Sequence, residues 1–261
     1  MLLTAGNDAI RIDPSRGGRI VGFVAAGWDV LVAEEPDTLA WGCYAMVPWA
    51  GRIRNGRFTW EGRGVQLPLR MPPHAIHGTV FDRPWQESGP QELACALGEP
   101  WPWRGSVRSR FSMEPGVFRW ELTVSAEEEP MPVVLGWHPW FRKRLADGSR
   151  ASLAFEADAM YRRDATGIPS GARSAPSEGP WDDCFTGAAV APRIRWSNGL
   201  RLEVASSCDH WVIYDEPEHA LCVEPQSGPP DGFNRGQYTL VRPGRPLVHA
   251  MTWRWWRDDS R

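Results

Sequence analysis

The sequence predicts an all-β protein, built as a large antiparallel sandwich or barrel. The chain holds 26 glycines and 24 prolines, which interrupt nearly every window long enough for a helix. Between them lie short runs of β-forming residues, several of which alternate apolar and polar side chains. Many short strands at regular spacing are typical of sandwiches and barrels.

Each predicted strand is a short run bounded by turn residues. Two runs, residues 107–113 and 118–125, flank Glu114-Pro115-Gly116-Val117, which is typical of a hairpin turn. A further run, residues 220–223, is apolar throughout. The other predicted strands are residues 20–24, 28–32, 57–61, 133–137, 151–155, 201–205, 210–214, 238–241 and 247–255.

One domain covering residues 1–261 is expected. A chain of this length could form one large all-β domain or two small ones. The polar stretch from Asp164 to Pro180 is predicted to be a long loop, not a domain linker, because strands of the same character lie on both sides of it. A loop of that length inside a domain is often functional.

Composition excludes several classes of function. The net charge is −3 and no polybasic run is present, so neither nucleic acid nor an anionic membrane is an expected partner. No apolar run approaches the ~18 residues of a membrane span. Residues 1–10 lack the pattern of a signal peptide, and five scattered cysteines without CxxC spacing suit reduced thiols. A cytoplasmic location is therefore expected.

Four separated segments place ionisable side chains among loop-forming residues. Such groups are predicted to lie in strand-end loops, where a rigid scaffold presents catalytic residues. A histidine, a carboxylate and an arginine also provide a possible acid, a possible base and polar anchors for a hydroxyl-rich ligand. The segments are residues 51–58 (GRIRNGRF), 74–78 (HAIHG), 136–141 (GWHPWF) and 223–234 (VEPQSGPPDGFN).

Glu224 and His138 are the candidate proton-transfer groups. Glu224 follows the apolar run 220–223 and precedes a turn rich in polar groups, which favours a general base over a solvated glutamate. His138 is flanked by Trp137 and Trp140, and such surroundings can exclude water from an acid–base group. A core histidine bonded to a backbone carbonyl is the alternative for His138.

The remaining candidates are weaker. His74 and His77 have HxxH spacing without a third ligand or a helix, so no metal is expected. The 16 tryptophans could stack on sugars, but core packing explains most of them. Three arginines could bind an anion or form a solvated face, and two acids lie beside aromatic residues. These are Arg52, Arg54 and Arg57, and Asp182 and Asp183 in Trp181-Asp182-Asp183-Cys184-Phe185.

Together these segments resemble the aldose 1-epimerase (galactose mutarotase-like) family. The resemblance rests on five short motifs in a common order that spans residues 51–234. They are Gly-Arg-x-x-Asn at 51–55, His-Gly at 77–78, His-x-aromatic-Phe at 138–141, Asp-x-x-Phe at 182–185, and Glu-x-Gln at 224–226 followed by Pro-Asp-x-x-Asn at 230–234.

The resemblance implies an antiparallel β-supersandwich that interconverts the α and β anomers of a free hexose. By position, Glu224 matches the general base and His138 the general acid, while His77 matches a histidine near the ring oxygen of the sugar. Arg52, Asp182 and Gln226 match substrate-contacting positions. Two residues that replace commoner family residues are also expected to border the sugar, His74 and Trp140.

Ring opening of a hemiacetal needs no redox change, so no cofactor is expected. The expected partner is a small-molecule sugar, and the protein could be a monomer or a homodimer. Three other functions remain open: a hexose-6-phosphate 1-epimerase using Arg52, Arg54 or Arg57, a glycoside hydrolase pairing Glu224 with another carboxyl, and a carbohydrate-binding protein without turnover. The second carboxyl of a hydrolase would be Asp182, Asp183 or Asp231.

Overall fold

Antiparallel strands make up most of the protein. The computed structural model describes residues 1–258, in which the regular elements are strands and 3-10 turns. The turns lie at Pro14–Arg16, Arg54–Gly56 and Gly232–Arg235. In chain order the strands are β1 (Leu2–Ala5), β2 (Asp8–Asp13), β3 (Arg19–Ala25), β4 (Trp28–Asp29), β5 (Cys43–Met46), β6 (Arg52–Ile53), β7 (Arg57–Trp60), β8 (Arg63–Gln66), β9 (Ala75–Ile76), β10 (Gln86–Gly89), β11 (Glu92–Ala96), β12 (Gly105–Glu114), β13 (Val117–Ala126), β14 (Met131–Val133), β15 (Gly136–Arg142), β16 (Ala151–Ala154), β17 (Ala159–Arg163), β18 (Pro169–Ser174), β19 (Asp182–Thr186), β20 (Arg193–Trp196), β21 (Leu200–Ser206), β22 (His210–Tyr214), β23 (Ala220–Gln226), β24 (Thr239–Val241) and β25 (Leu247–Arg257).

Two large sheets dominate the arrangement. The first has the strand order β1-β2-β3-β5-β15-β23-β22-β19-β17-β18, with β4 paired beside β3. The second has the order β10-β11-β12-β13-β25-β21-β20-β16. Smaller pairs are β14-β24, β6-β9 and β7-β8. The predicted all-β antiparallel class is confirmed, and residues 1–258 hold no helix with the length and apolar character needed to cross a membrane.

Alternating side chains build the strands of the second sheet. In β13, Phe118, Trp120, Leu122 and Val124 are buried, while the residues between them are exposed or half-buried. Since successive side chains of a strand point to opposite faces, one face of this sheet packs into the core. The predicted hairpin is also confirmed, because β12 and β13 pair along their whole length around Pro115 and Gly116.

Aromatic residues join the two sheets. Trp253 of β25 is fully buried and stacks on Phe23 of the first sheet, with ring centroids 5.1 Å apart. Its ring also meets Phe141 of the first sheet at 5.3 Å and Phe118 of its own sheet at 5.5 Å. Most of the tryptophans are core residues in this way. The exceptions are Trp28 and Trp181, which are half-buried, and Trp256, which is exposed.

Strands β15 and β23 lie side by side in the middle of the first sheet and are covered on both faces. Every residue of β23 is buried, as is every residue of β15 except Arg142. One face packs on the core, and the other lines a cavity. Double coverage explains why both strands have nearly continuous apolar sequences.

The predicted strand-end position of the two proton-transfer candidates is wrong. His138 lies inside β15 and Glu224 lies inside β23, which continues through Pro225 to Gln226. Proline cannot donate a ladder hydrogen bond, so the sequence around Pro139 and Pro225 suggested a loop. The structure keeps both prolines in extended strands.

Three other predicted boundaries need correction. The expected loop from Asp164 to Pro180 contains β18, an edge strand whose mostly exposed side chains give no apolar pattern. The run 133–137 is divided, because β14 ends at Val133 and pairs with β24 before the chain enters the first sheet at Gly136. The run 28–32 forms a strand only at Trp28–Asp29.

Candidate active site

A cavity of about 180 Å³ lies against the face of strands β15, β23, β22, β19 and β17 that points away from the core. This space is small for a drug-sized ligand and suits a ligand of monosaccharide size. Its walls are formed by the loop before β5, by residues at the paired strands β6 and β9, and by the β17–β18 hairpin. Its lining includes Arg52, His77, His138, Trp140, Tyr161, Arg163, Gly167, Pro169, Asp182, Asp183, Cys184, Val212, Tyr214, Glu224, Gln226 and Pro230.

His138 and Glu224 face each other across neighbouring strands at the floor of the cavity. The register pairs Gly136 with Gln226 and Trp140 with Cys222, so His138 lies directly opposite Glu224. The imidazole Nε2 is 3.2 Å from the carboxylate Oε1, and both residues are almost fully buried. The sequence separates these two groups by more than eighty residues, and the sheet brings them into contact.

The ladder between β15 and β23 is interrupted at this pair. Paired positions are Gly136 with Gln226, and then Trp140 with Cys222; the positions between them do not form ladder pairs. Pro139 and Pro225 lie in this gap, and neither has a backbone N–H to donate. Each proline therefore directly follows one of the two functional residues, Pro139 after His138 and Pro225 after Glu224.

Burial sets the protonation of the pair. It raises the pKa of Glu224 well above that of an ordinary glutamate, and the negative charge of Asp182 adds to this effect. Burial also lowers the pKa of His138, and the positive charge of Arg19 lowers it further. Both groups are thus drawn toward their neutral forms, so one proton shared between Nε2 and Oε1 suits the pair.

Aromatic rings hold the imidazole of His138 in place. Trp140 stacks on it almost in parallel, with ring centroids 5.2 Å apart and an angle of 5°. Tyr44 of β5, which is opposite His138 in register, stacks from the other neighbouring strand at 5.0 Å. The Tyr44 hydroxyl donates to the backbone carbonyl of Leu39 at 3.0 Å. These contacts orient the ring toward Glu224.

His77 is a neutral hydrogen-bond donor at the side of the pair. Its Nδ1 accepts the backbone N–H of Gly51 at 3.3 Å, so the ring proton resides on Nε2. Its ring meets that of His138 edge-on, with centroids 5.0 Å apart. Burial lowers the pKa of His77 well below its usual range, and the neighbouring His138 and Arg52 add to the effect. His77 has a positive φ of 58°, a backbone conformation that is strained for histidine.

A charged network forms the opposite wall. Both terminal nitrogens of Arg52 lie 3.3 Å from Oδ2 of Asp182, and Arg163 donates to the same oxygen at 3.1 Å. Arg163 also reaches Asp183 at 3.1 Å and Glu216 at 3.5 Å. Burial raises the pKa of Asp182, and the two arginines oppose that rise. The arginines are therefore neutralised by carboxylates of the wall.

Gln226 supports the base from the same strand face. Its amide Nε2 donates to Oε2 of Glu224 at 3.2 Å, and its own side chain is fully buried in the cavity lining. Since Oε1 faces His138, the two oxygens of Glu224 have different partners. This holds the plane of the carboxylate.

The cavity brings together seven of the eight predicted site residues, and His74 is outside its lining. His74 is buried, and its Nδ1 accepts the backbone N–H of Asn55 at 3.1 Å. It thus supports the Arg54–Gly56 turn from behind, whereas the other predicted site residues line the cavity. The HxxH histidines each use Nδ1 for a backbone contact, and they do not form a ligand cluster with a third residue in the described range.

Arg54, Arg57 and Asp231 also lie outside the cavity lining. Arg54 pairs with Asp164 at 2.7 Å, and Arg57 donates to Gln66 on the surface hairpin β7–β8. Asp231 accepts the backbone N–H of Arg54 at 3.0 Å, which makes it a structural residue.

The sequence did not reveal three neighbours of the site, which are Arg163, Tyr161 and Tyr44. Arg163 and Tyr161 belong to β17, where no strand was expected, and Tyr44 belongs to the unpredicted β5. The short apolar run Ala159-Met160-Tyr161 is the signal that could have identified β17. Nothing in the sequence near Tyr44 indicates that it stacks on a histidine nearly a hundred positions away.

A family model for aldose 1-epimerase matches residues 14–254. The match covers most of the sequence and contains both His138 and Glu224. The chain belongs to the aldose 1-epimerase family. Membership confirms the resemblance drawn from the short motifs, and the family is one of sugar mutarotases, which are isomerases.

Two proteins of Escherichia coli K12, both described as uncharacterized, are similar in sequence. YihR is 24% identical over an alignment 264 residues long, which covers 88% of this chain and 85% of YihR. YphB is 28% identical over 149 residues, or 54% of this chain and 51% of YphB. The match to YphB thus spans about half the length of that relative.

Solved structures share the fold. A galactose mutarotase-like protein from Clostridium acetobutylicum has a TM-score of 0.87 at 16% identity, covering 98% of this chain and 95% of that one. Galactose 1-epimerase from Lactobacillus acidophilus has a TM-score of 0.79 at 16% identity, covering 98% and 93%. The predicted galactose mutarotase-like architecture is therefore confirmed.

Proposed function

We propose that the protein is an aldose 1-epimerase that interconverts the α and β anomers of an unphosphorylated hexose. The observation that carries this proposal is the cross-strand pair of His138 and Glu224, 3.2 Å apart at the floor of a monosaccharide-sized cavity. A hemiacetal ring opens when one group removes the proton of the anomeric hydroxyl while another protonates the ring oxygen. The pair provides one group of each kind.

In the proposed mechanism, the proton shared by the pair first moves to His138. Glu224 then accepts the proton of the C1 hydroxyl while His138 donates its proton to the ring oxygen. The C1–O5 bond breaks, and the aldehyde rotates about C1–C2. The two side chains then exchange roles, and the ring closes on the opposite face of C1. The enzyme ends in its initial protonation state, so the reaction requires no cofactor.

Neighbouring side chains supply the contacts that would hold the sugar. His77 offers its Nε2–H, Arg52 and Asp182 offer polar atoms from the opposite wall, and Gln226 orients Glu224. Trp140 stacks on His138 and lines the cavity, so its indole can also border an apolar face of the ring.

The charges of the cavity favour a neutral sugar over a hexose 6-phosphate. Arg54 and Arg57 are engaged outside the lining, while Arg52 and Arg163 are paired with Asp182 and its neighbours. A phosphate would have to displace these carboxylates and would face their negative charge. The phosphosugar alternative therefore lacks a free cationic anchor in the part of the chain that the structure describes.

Polarimetry tests the proposal. Freshly dissolved α-D-glucose and α-D-galactose, and their 6-phosphates, are followed with and without the protein. The proposal predicts a faster approach to the unchanged final rotation for at least one free hexose, and little acceleration for the phosphates. Acceleration restricted to the phosphates would favour the phosphosugar reaction, and sugar binding without acceleration would favour a binding protein.

A further inference from the structure

We propose that Cys222, together with His138 and Glu224, forms a binding site for a thiophilic divalent metal ion such as Zn²⁺. The Sγ, a ring nitrogen and a carboxylate oxygen of these residues all lie within 4.8 Å of one another, and all three residues are buried. The proton transfers proposed above use only two of them. Cys222 is a further donor at the same place, and the reaction does not explain it.

Strand geometry puts the three donors on one surface. Cys222 and Glu224 are two positions apart in β23, so their side chains point to the same face of the sheet. His138 is opposite Glu224 on β15. Because all three donors belong to central strands, their separation is set by a rigid part of the fold, as a metal site requires.

The separation of His138 from Glu224 suits a tetrahedral ion. With bonds of about 2.0–2.1 Å to zinc, donors 3.2 Å apart subtend an angle of about 105° at the metal, close to tetrahedral. A zinc–sulfur bond of about 2.3 Å places the sulfur about 3.5 Å from the other donors, so the Cys222 Sγ must approach by at most about 1.3 Å.

The donor set also defines the class of ion. One sulfur, one nitrogen and one oxygen suit zinc and cadmium, whereas magnesium and calcium prefer sites made of oxygen. On binding, Cys222 releases its thiol proton to solvent and coordinates as a thiolate, and the proton shared by His138 and Glu224 is released as well. Gln226 would remain the outer-shell partner of Glu224, since it bonds the other carboxylate oxygen.

The cavity provides a route and an attraction for a cation. Both His138 and Glu224 line it, so an ion that enters the cavity reaches them directly. Three other carboxylates line the same space, Asp37, Asp182 and Asp183, against the arginines Arg52 and Arg163. An acidic lining raises the local concentration of cations.

A bound ion would inhibit the enzyme, since it occupies the lone pairs that accept and return protons. Sugar and metal would then compete for the cavity. This consequence rests on the proposed function, whereas metal binding does not.

Cadmium binding tests the site without any assay of activity. Ultraviolet absorption reports a cadmium–thiolate bond, and titration calorimetry reports the affinity for Cd²⁺ and Zn²⁺. We expect one ion per chain and a thiolate band in the wild type. Cys222→Ser should lose the band and weaken affinity at least about tenfold. Cys184→Ser is the matched control, because Cys184 is a buried thiol of the cavity lining outside the cluster, and it should retain both signals.

Cys222→Ala replaces Cys222→Ser if the serine variant fails to fold by circular dichroism. Absence of binding in the wild type, or a thiolate band that survives both Cys222 variants, would overturn the proposal.

In the kinetic arm, Zn²⁺ should slow mutarotation, and excess sugar or a chelator should restore the rate. Cys222→Ser should keep its basal rate and lose this sensitivity. A wild type that binds cadmium through Cys222 but shows no mutarotation would support the site and contradict the enzymatic proposal.

Discussion

Glu224 and His138 are ionisable side chains that the fold buries almost completely, at 2% and 5% exposure. Burial disfavours the charged form of each, so the pKa of Glu224 rises and that of His138 falls. A proton that moves between them across this contact leaves the total charge of the pair unchanged. Reversal of their roles during ring opening and closing therefore needs no proton from solvent.

The charge of Asp182 gives a first prediction. Asp182 adds to the effect of burial in raising the pKa of Glu224, so Asp182→Asn should lower that pKa. Loss of activity on acidification occurs when the pair gains a second proton, and the acid limb should therefore move to lower pH. The pH profile of kcat/KM, measured by polarimetry, checks this shift. An acid limb at unchanged pH would show that Asp182 does not act on the pair.

Arg19 gives a prediction of opposite sign. It is 1% exposed and donates to the carbonyls of Trp41 and Thr38, both at 2.7 Å, while its guanidinium lies over the ring of Tyr44. Burial is the largest cause of the lowered pKa of His138, and the positive charge of Arg19 is the second largest. Arg19→Met should move the alkaline limb of activity to higher pH, because the imidazole would retain its proton longer.

Arg16→Met is the matched control for Arg19→Met. Arg16 is three positions away at the surface, where it pairs with Asp13 and Glu34, so its loss should leave the profile unchanged. Equal shifts in both variants would indicate a general charge effect. Circular dichroism establishes that Arg19→Met is folded before the profiles are compared.

The β17–β18 hairpin carries one wall of the cavity at the edge of the first sheet. Its residues Tyr161, Arg163 and Pro169 line the cavity, together with Gly167 at its tip. Arg54 holds the tip through Asp164 at 2.7 Å, and Arg235 donates to the Pro169 carbonyl at 2.7 Å. The hairpin is thus fastened by these polar contacts as well as by the small apolar cluster of Tyr161 with Cys184 and Val212.

Loosening this hairpin should affect sugar binding more than the chemical step. Arg54→Ala removes the ion pair to Asp164, and we expect a rise in KM of a few fold with kcat changed less. Arg57→Ala is the control, because Arg57 contacts Gln66 and not the hairpin. A similar rise in both variants, or a loss confined to kcat, would contradict this role of the hairpin.

Sequence patterns revealed the element types better than their limits near the site. Alternation in β13 and the turn at Pro115-Gly116 were sufficient to predict the hairpin. Pro139 and Pro225 suggested loops where the chain continues as strands, because a proline's local preference cannot show that a ladder is already open there. β18 escaped prediction because its exposed residues lack an apolar face.

The prediction of the site rests on ordered motifs more than on physical patterns. His138 and Glu224 were identified as candidates, but their opposition in register depends on which strands become neighbours, and no local pattern encodes that. The stacking of Tyr44 and the proximity of Cys222 are consequences of the same pairing. Sequence order also cannot distinguish the lining of a cavity from the layer behind it, where His74 lies.

The whole molecule depends on its aromatic contact between sheets. Trp253 meets Phe23, Phe118 and Phe141, and so joins both large sheets. Trp253→Ala should lower the free energy of unfolding by about 3–5 kcal/mol, as expected for a buried tryptophan. Trp256→Ala, on the same strand but 41% exposed, should cost less than about 0.5 kcal/mol. Urea unfolding of the two variants checks this, and similar losses would contradict the proposed contact.

The central claim is that His138 and Glu224 perform the proton transfers of mutarotation. The most direct test is the rate at which freshly dissolved α-D-galactose or α-D-glucose, whichever the wild type accelerates, reaches its equilibrium rotation with Glu224→Gln. The account predicts a fall in kcat of about 10²–10⁴-fold, with an unchanged circular dichroism spectrum and the same final rotation. His138→Asn should behave alike. A Glu224→Gln protein that keeps the wild-type rate would remove the base from the mechanism and contradict the account.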